Sequence, residues 1–311
     1  MEKRISYVFP IYNEEGNIKL FYDTINKVTK SLKDKYELEY VFINDGSKDK
    51  SLELLKNLQK NDSRIKIIDF TRNFGHQLAV TAGIDYAHGD AVIIMDSDMQ
   101  DPPSVSLELI QKWENGYDVV YAQRRTRKDN FLKKITAKIF YRILNGLSNI
   151  DIPKDTGDFR LINRKVVDVL KDCREHNRFL RGLISAIGFR QMAVLFDRDE
   201  RYAGRTGYSI KKMIQLAKDG ILGFSAAPIQ FITISAISLN VVSIISILLI
   251  ILFSIFDIKS FLTKDVYVLL TFLLFFTSLQ LLAVALLGEY ILRIYKETQN
   301  RPLYIIDEVY E

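Results

Sequence analysis

Ala91-Val92-Ile93-Ile94-Met95-Asp96-Ser97-Asp98-Met99-Gln100-Asp101-Pro102-Pro103 decides how the first two-thirds of this chain is read. Five consecutive apolar residues suit a strand covered on both faces, too apolar for a sheet edge. The run breaks at once into Asp96-Ser97-Asp98. Two carboxylates two residues apart, leaving a buried strand, can share one hard cation. Mg²⁺ and Mn²⁺ take oxygen ligands and keep positions open for substrate phosphates. Gln100 can add a further ligand oxygen. An Asp-x-Asp by itself is common in surface turns, and the apolar strand before it is what lends this one weight.

The same grammar extends in both directions. Ile5–Phe9, Leu38–Ile43, Ile65–Phe70 and Asp118–Ala122 also read as strands, with Phe159–Ile162 a further short one. Between them Asn17–Leu32, Asp49–Gln59, His76–Ala87 and Pro103–Asn115 carry helical periodicity. Ser47 and Asp49 are N-cap candidates for the second helix. Alternating strands and helices predict an α/β fold with a doubly wound, mostly parallel sheet. Ligands of such sheets sit beyond the C-terminal ends of the strands. There the chain places Pro10, Tyr12, Asn13 and Glu14, then Asn44, Asp45, Gly46 and Ser47, then Arg72, Asn73 and Gly75, then the acidic segment at 96–101. Asp45 could accept hydrogen bonds from a base N–H or from ribose hydroxyls, or could form an Asx-turn capping the next helix. No Gly-x-Gly-x-x-Gly follows the first strand and no Walker-type loop occurs, which disfavours dinucleotide and P-loop readings.

Composition narrows the class. The chain has 311 residues, 48% hydrophobic and 26% charged, with a net charge of +5. The single cysteine, Cys173, excludes an intrachain disulfide, and His76, His88 and His176 lack zinc-ligand spacing. No basic-aromatic pattern favours nucleic acid as a partner. Charge is absent from Ile221 to Phe256 and again from Val266 to Gly288. A bilayer core needs about 20 apolar residues in a helix, so both runs are long enough to span. The expected organisation is a cytoplasmic catalytic domain at 1–225 and a two-helix transmembrane hairpin at about 229–254 and 266–288. A cytoplasmic tail at 291–311 completes it. Lys211, Lys212, Lys218, Arg293, Lys296 and Arg301 on one side outnumber Lys259 and Lys264 in the loop, which puts both termini inside. The N-terminus has no apolar signal-peptide core, in keeping with a multi-pass protein of the cell membrane whose catalytic domain is cytoplasmic. A basic amphipathic helix at 129–147 could lie in the membrane interface or pack on its own domain. Ser235, Ala236, Ser238 and Ser243 offer small surfaces for a homo-oligomer.

The motifs, taken in order, resemble glycosyltransferase family 2. They are Pro10-Ile11-Tyr12-Asn13-Glu14, Asn44-Asp45-Gly46-Ser47, Arg72-Asn73-Phe74-Gly75 and Asp96-Ser97-Asp98-Met99-Gln100-Asp101-Pro102. With Asp155-Thr156-Gly157-Asp158-Phe159-Arg160 and the apolar C-terminal region, the chain is similar to the polyprenyl-phosphate glycosyltransferases. That resemblance implies a GT-A type fold, an inverting reaction and a Mg²⁺ or Mn²⁺ cofactor. It assigns Pro10, Tyr12, Asn13, Glu14, Asp45, Arg72 and Asp96 to a nucleotide-sugar donor. It assigns Asp96, Asp98 and Gln100 to metal and diphosphate. Asn44 departs from the pattern, since many members carry a second Asp there.

Asp158 matches the acidic position proposed as catalytic in the family, and Asp98 is grouped with it as catalytic. A lipid phosphate, with a second pKa of about 6, is already anionic near neutrality and needs little deprotonation. Asp158 could therefore orient a hydroxyl or the acceptor instead of acting as a base. An anionic acceptor approaching an anionic donor requires cations, and Arg124, Arg127, Arg198 and Arg201 are the acceptor-phosphate candidates. The expected reaction is transfer of a sugar, from UDP-glucose or UDP-GlcNAc, to undecaprenyl phosphate. Two other readings fit less well. A processive polysaccharide synthase would carry Gln-x-x-Arg-Trp, which the only tryptophan, Trp113, does not complete. A non-catalytic scaffold would not need Asp45, Asp96, Asp98 and Asp158 together.

Overall fold

The computed structural model describes residues 3–125, 153, 156–197, 229, 232–238, 241, 245 and 266–311. Among the described residues, eight strands form one sheet in the order β7-β5-β6-β4-β1-β2-β3-β8. They are β1 (Lys3–Ile11), β2 (Tyr36–Asn44), β3 (Ile65–Phe70), β4 (Ala91–Ile94), β5 (Val119–Arg124), β6 (Thr156–Asn163), β7 (Gln191–Phe196) and β8 (Ile306–Tyr310). The helices α1 (Ile18–Thr29), α2 (Ser51–Gln59), α3 (His76–Tyr86) and α4 (Val105–Glu114) alternate with the first five strands. Then come α5 (Arg164–Asp172), α6 (Leu180–Ile187) and the long α7 (Val266–Thr298). The expected mostly parallel α/β sheet is therefore present.

Strand patterning explains the layers. On β1, Ile5, Tyr7, Phe9 and Ile11 enter one core with Ile18, Phe21 and Ile25 of α1, Leu55 of α2, and Leu109 and Trp113 of α4. Successive side chains of a strand point to opposite faces, so Val8 and Ile43 look the other way, toward α3. Aromatic rings fill the first face: Phe9 meets Phe21 edge-on at 4.9 Å and lies 4.8 Å from Phe42. The buried phenol hydroxyls are satisfied, Tyr7 donating to Ser106 Oγ at 3.2 Å and Tyr40 pairing with Thr29 Oγ1 at 2.7 Å.

Two strands run against the rest, and their placement makes the site. β1, β2, β3 and β4 are mutually parallel, and β5 is parallel to β7. β6 is antiparallel to β4 and β5, and β8 is antiparallel to β3. Reversal brings the starts of β6 and β8 to the edge where their neighbours end. Thr156 pairs with Gln123 and Ile306 with Phe70. Asp158 therefore stands beside the acidic segment that follows β4.

Two expectations need correction. Residues 291–311 are not a separate tail: α7 runs on to Thr298, and Ile306–Tyr310 adds a strand to the sheet. Five residues with Asp307 and Glu308 among them are too short and charged to declare themselves, and the open edge of β3 supplies the missing partner. Pro302–Glu311 thus belongs to the compact unit of the sheet, whereas α7 belongs to a second unit. Neither N-cap candidate caps α2 as expected. Lys50 holds that position, Asp49 Oδ1 accepts from Ser51 N, and Ser47 Oγ accepts from Asn13 N.

Of the two proposed spans, the second falls within α7. Among the described residues one helix is long and apolar enough to cross a membrane, its stretch Phe275–Thr298 having a mean hydropathy of 1.7. Leu269, Phe272, Leu281 and Ile291 on it are exposed. The first span is described only as helical at 229, 232–238, 241 and 245, and the helix expected at 129–147 lies outside the described residues.

Gly83 tests the packing of α3. A Cβ there would stand 2.1 Å from Val8 Cγ1 and 2.8 Å from Ile43 Cδ1. Gly83→Ala should cost roughly 1–3 kcal/mol through overpacking and lower the Tm of the full-length protein by several degrees. An unchanged Tm would mean that α3 can stand further from the sheet.

Candidate active site

Each parallel strand delivers its polar residues to one edge, and hydrogen bonds between loops set their positions. Asn13, in the left-handed region at φ 55°, donates its N–H to Ser47 Oγ at 3.0 Å. Its Oδ1 accepts from Lys48 N at 2.8 Å. Glu14 N donates to Ser51 Oγ at 2.9 Å, and Glu15 Oε2 accepts from Lys50 N at 3.0 Å. The loops after β1 and β2 are thus interlocked, and Asn13 is engaged in that lock. Gly46 lets the third loop come close. At φ +61°, its Cβ would lie 2.4 Å from the Arg72 carbonyl carbon, so no side chain fits.

Asp45 is buried at the end of β2 and is neither free nor a helix cap. Its carboxylate accepts from Phe74 N at 2.6 Å, Gly75 N at 3.0 Å and Asn73 Nδ2 at 2.9 Å. Burial pushes its pKa up against the opposing pull of those amides and of the His76 and Arg72 charges. Both the Asx-turn and a simple open acceptor give way to a third arrangement, in which Asp45 clasps the loop after β3.

A cleft of about 560 Å³ opens beside this clasp. Tyr12, Ser47, Lys48, Asp69, Arg72 and Asn73 line it. Its volume lies in the range of small-ligand sites. Tyr12 is half exposed, and the Arg72 guanidinium lies 4.0 Å from the Phe74 ring centre. Asp69, which also accepts from Asn44 Nδ2 at 2.7 Å, and Lys48 are lining residues that the motif reading passes over.

The acidic centre lies at the ends of β4 and β6. Asp98 is buried and its Oδ1 accepts from Gln100 N at 3.1 Å, with Met99 between them at φ 61°. Asp96 is partly exposed, 3.7 Å from His76 Nε2. Asp158 is only 6% exposed. It takes a hydrogen bond from His76 Nε2 at 3.0 Å, one from Gln77 Nε2 at 3.1 Å and one from Arg181 Nε at 2.8 Å. Gln77 Oε1 in turn accepts from Leu180 N, tying the start of α3 to that of α6. Burial alone would drive Asp158 neutral. The Arg181 charge and the His76 hydrogen bond and charge overcome it and hold Asp158 well below the usual carboxylate range. Burial likewise opposes the imidazolium of His76, but Asp96 and Asp158 outweigh it and raise His76 to about 9.

His76, Gln77 and Arg181 are the functional candidates that sequence reasoning missed. The first two could have been found from their place, directly after Arg72-Asn73-Phe74-Gly75 at a helix start. Arg181 carries no such signal. Of the arginines expected at an acceptor phosphate, Arg124 ends β5 near Gly157, 3.7 Å from a Cβ placed there. Arg127, Arg198 and Arg201 lie outside the described residues.

A divalent metal fits the donor set. Among the described residues no three His, Cys, Asp or Glu side chains converge as a closed cage. Asp96 and Asp98 would supply two hard oxygen ligands, which would leave positions for water and substrate phosphates, as Mg²⁺ sites do.

The pattern of Glycosyl transferase family 2 matches residues 6–170, half of the chain and all of the site's loops up to Asp158. The chain belongs to glycosyl transferase family 2. A glycosyltransferase of Bacillus subtilis (strain 168), YkcC, is 46% identical over 100% of this chain and 96% of its own. A prophage bactoprenol glucosyl transferase homolog of Escherichia coli (strain K12) is 41% identical over 98% and 99%. The bactoprenol glucosyl transferase of Shigella phage SfII is 40% identical over 97% of each chain. The protein is thus a glycosyltransferase enzyme, and the resemblance seen in its motifs holds.

The charged cluster has a measurable pH signature. The His76 pairing contributes stability that is complete below about pH 6.5, the ordinary histidine value. That stability is lost as pH rises through about 9. In metal-free buffer, raising the pH from 6 to 9.5 should lower the Tm of wild type more than that of His76→Gln. Equal losses would show that His76 is not held as a cation.

Proposed function

We propose that this enzyme transfers glucose from UDP-glucose to a polyprenyl phosphate, giving a lipid-phosphate-linked monosaccharide with inversion at the anomeric carbon. The observation that carries the reading is the 40–41% identity, over nearly the whole length of both chains, with proteins named bactoprenol glucosyl transferase. The site supports it. A cleft of nucleotide size lies at the strand edge that also carries Asp96, Asp98 and Asp158.

In this reading the donor's nucleoside lies in the cleft between Tyr12 and Arg72, with its diphosphate toward Asp96 and Asp98. A divalent metal held by those two carboxylates would neutralise charge on the leaving diphosphate. An oxygen of the lipid phosphate forms the new bond to the anomeric carbon as the bond to the diphosphate oxygen breaks. The acceptor is already anionic, so no side chain has to remove a proton from it. Asp158, ionised and held by three donors, is a poor base at any working pH. It positions His76 and Arg181, which keep positive charge beside the point where two anions meet. Arg124 contributes from the end of β5. The apolar α7 holds the enzyme at the membrane that contains its acceptor, with the sheet unit on the cytoplasmic side. GlcNAc is the sugar to compare first with glucose.

Full-length enzyme in mild detergent should transfer labelled glucose from UDP-glucose to undecaprenyl phosphate, with EDTA stopping the reaction. Asp98→Asn should lower kcat by on the order of 10²-fold or more, as metal charge stabilisation is worth several kcal/mol. Transfer from UDP-GlcNAc or GDP-mannose alone would correct the donor. Transfer unaffected by EDTA and by Asp98→Asn would remove the metal from the account.

A further inference from the structure

After α7 the chain returns to the sheet, and it returns at the donor cleft. β8 pairs with the edge strand β3, Ile306 opposite Phe70 and Glu308 opposite Asp69. The backbone contact continues past the strand, Thr71 N donating to Ile305 O at 3.2 Å. Tyr304 lies at the centre of this junction. Its ring stacks on Phe70 at 5.2 Å and 15°, and Phe70 meets Phe74 edge-on at 5.6 Å. Its hydroxyl donates to Asp85 Oδ2 at 2.7 Å, and Asp85 also pairs with Arg174 at 2.8 Å. Asp85 lies on α3, the helix that starts at His76. Tyr304 is therefore fixed at its hydroxyl end and presses its ring against the loop whose residues Phe70, Thr71, Arg72 and Asn73 wall the cleft.

We infer that this returning segment is part of the donor site, and that Tyr304 is a positioning residue holding the Phe70–Gly75 wall in the shape that receives a nucleoside diphosphate. Phe74 and Gly75 donate their N–H groups to Asp45, so the wall's geometry is linked to that clasp. A free loop after β3 would have to be ordered by the ligand, at a cost to affinity. Stacking from Tyr304 orders it beforehand. The simpler alternative is that β8 only covers an open sheet edge, as edges require. The two differ in what they do to ligand binding. The inference rests on the donor-cleft reading above.

The test uses the full-length enzyme, with Tyr304→Phe, which keeps the ring and loses the hydroxyl, and Tyr304→Ala, which loses both. Three quantities are read: amide hydrogen exchange at Phe74 and Gly75 without nucleotide, the Kd of UDP, and KM against kcat for donor and lipid. Tyr304→Ala should speed exchange at both amides. It should also raise the UDP Kd and the donor KM about tenfold, the scale of one aromatic pair plus one hydrogen bond. The lipid KM and kcat should stay within about twofold of wild type, since Tyr304 itself contacts Phe70 and Asp85 rather than the acidic residues at the ends of β4 and β6. Tyr304→Phe should move the same quantities less, in the same direction. Unchanged exchange and unchanged UDP affinity in Tyr304→Ala, even with a lower Tm, would overturn the inference and leave β8 as an edge cover. If wild type itself neither binds UDP nor transfers glucose, the donor reading fails. The exchange at Phe74 and Gly75 then decides alone whether Tyr304 orders the wall.

Discussion

One buried carboxylate organises the chemical end of this molecule. Asp158 sits almost out of water, where an uncompensated charge would cost several kcal/mol. Its compensation comes from two helices: His76 and Gln77 at the start of α3, and Arg181 on α6. Because β6 runs against its neighbours, this anchor stands at the edge where β4 delivers Asp96 and Asp98. His76 then reaches both Asp158 and Asp96, so the position of one constrains the other.

The donor side follows the same logic with different groups. Asp45 satisfies its burial with the backbone and side-chain amides of the loop after β3, and Gly46 allows that loop to approach. The loop is supported behind by Phe70 and Tyr304. Two strands that oppose the sheet direction, β6 and β8, thereby complete the two halves of the site. One supplies an anchored charge and the other a braced wall. Both reagents of the proposed reaction are anions, and the cluster keeps His76 and Arg181 positive through the acids that hold them.

The sheet was legible because its strands are apolar runs ending in polar clusters, a pattern that survives without any knowledge of contacts. Asp96-Ser97-Asp98 could be placed at a strand end for that reason. The partnerships were not legible. Nothing in Asn44-Asp45-Gly46-Ser47 shows that Asp45 would bond residues 28 to 30 positions further on. Arg181 lies in an ordinary amphipathic helix, 23 positions from the acid it compensates. β8 escaped because Ile306–Tyr310 is short, with two of its five residues charged, and becomes a strand only by pairing with β3 across more than two hundred residues. Local pattern reports what a segment buries; it does not report which distant group satisfies a buried charge.

The central claim is that Asp158 works as a fixed anion and not as a proton acceptor. The pH dependence of kcat/KM for lipid-phosphate glucosylation by wild type and Asp158→Asn tests it most directly. The account predicts one acidic limb near pH 6, set by the second ionisation of the acceptor phosphate. That limb should be present in both proteins, with the variant lower throughout. A limb that belongs to wild type and vanishes in Asp158→Asn would show that Asp158 takes the proton, and would contradict the account.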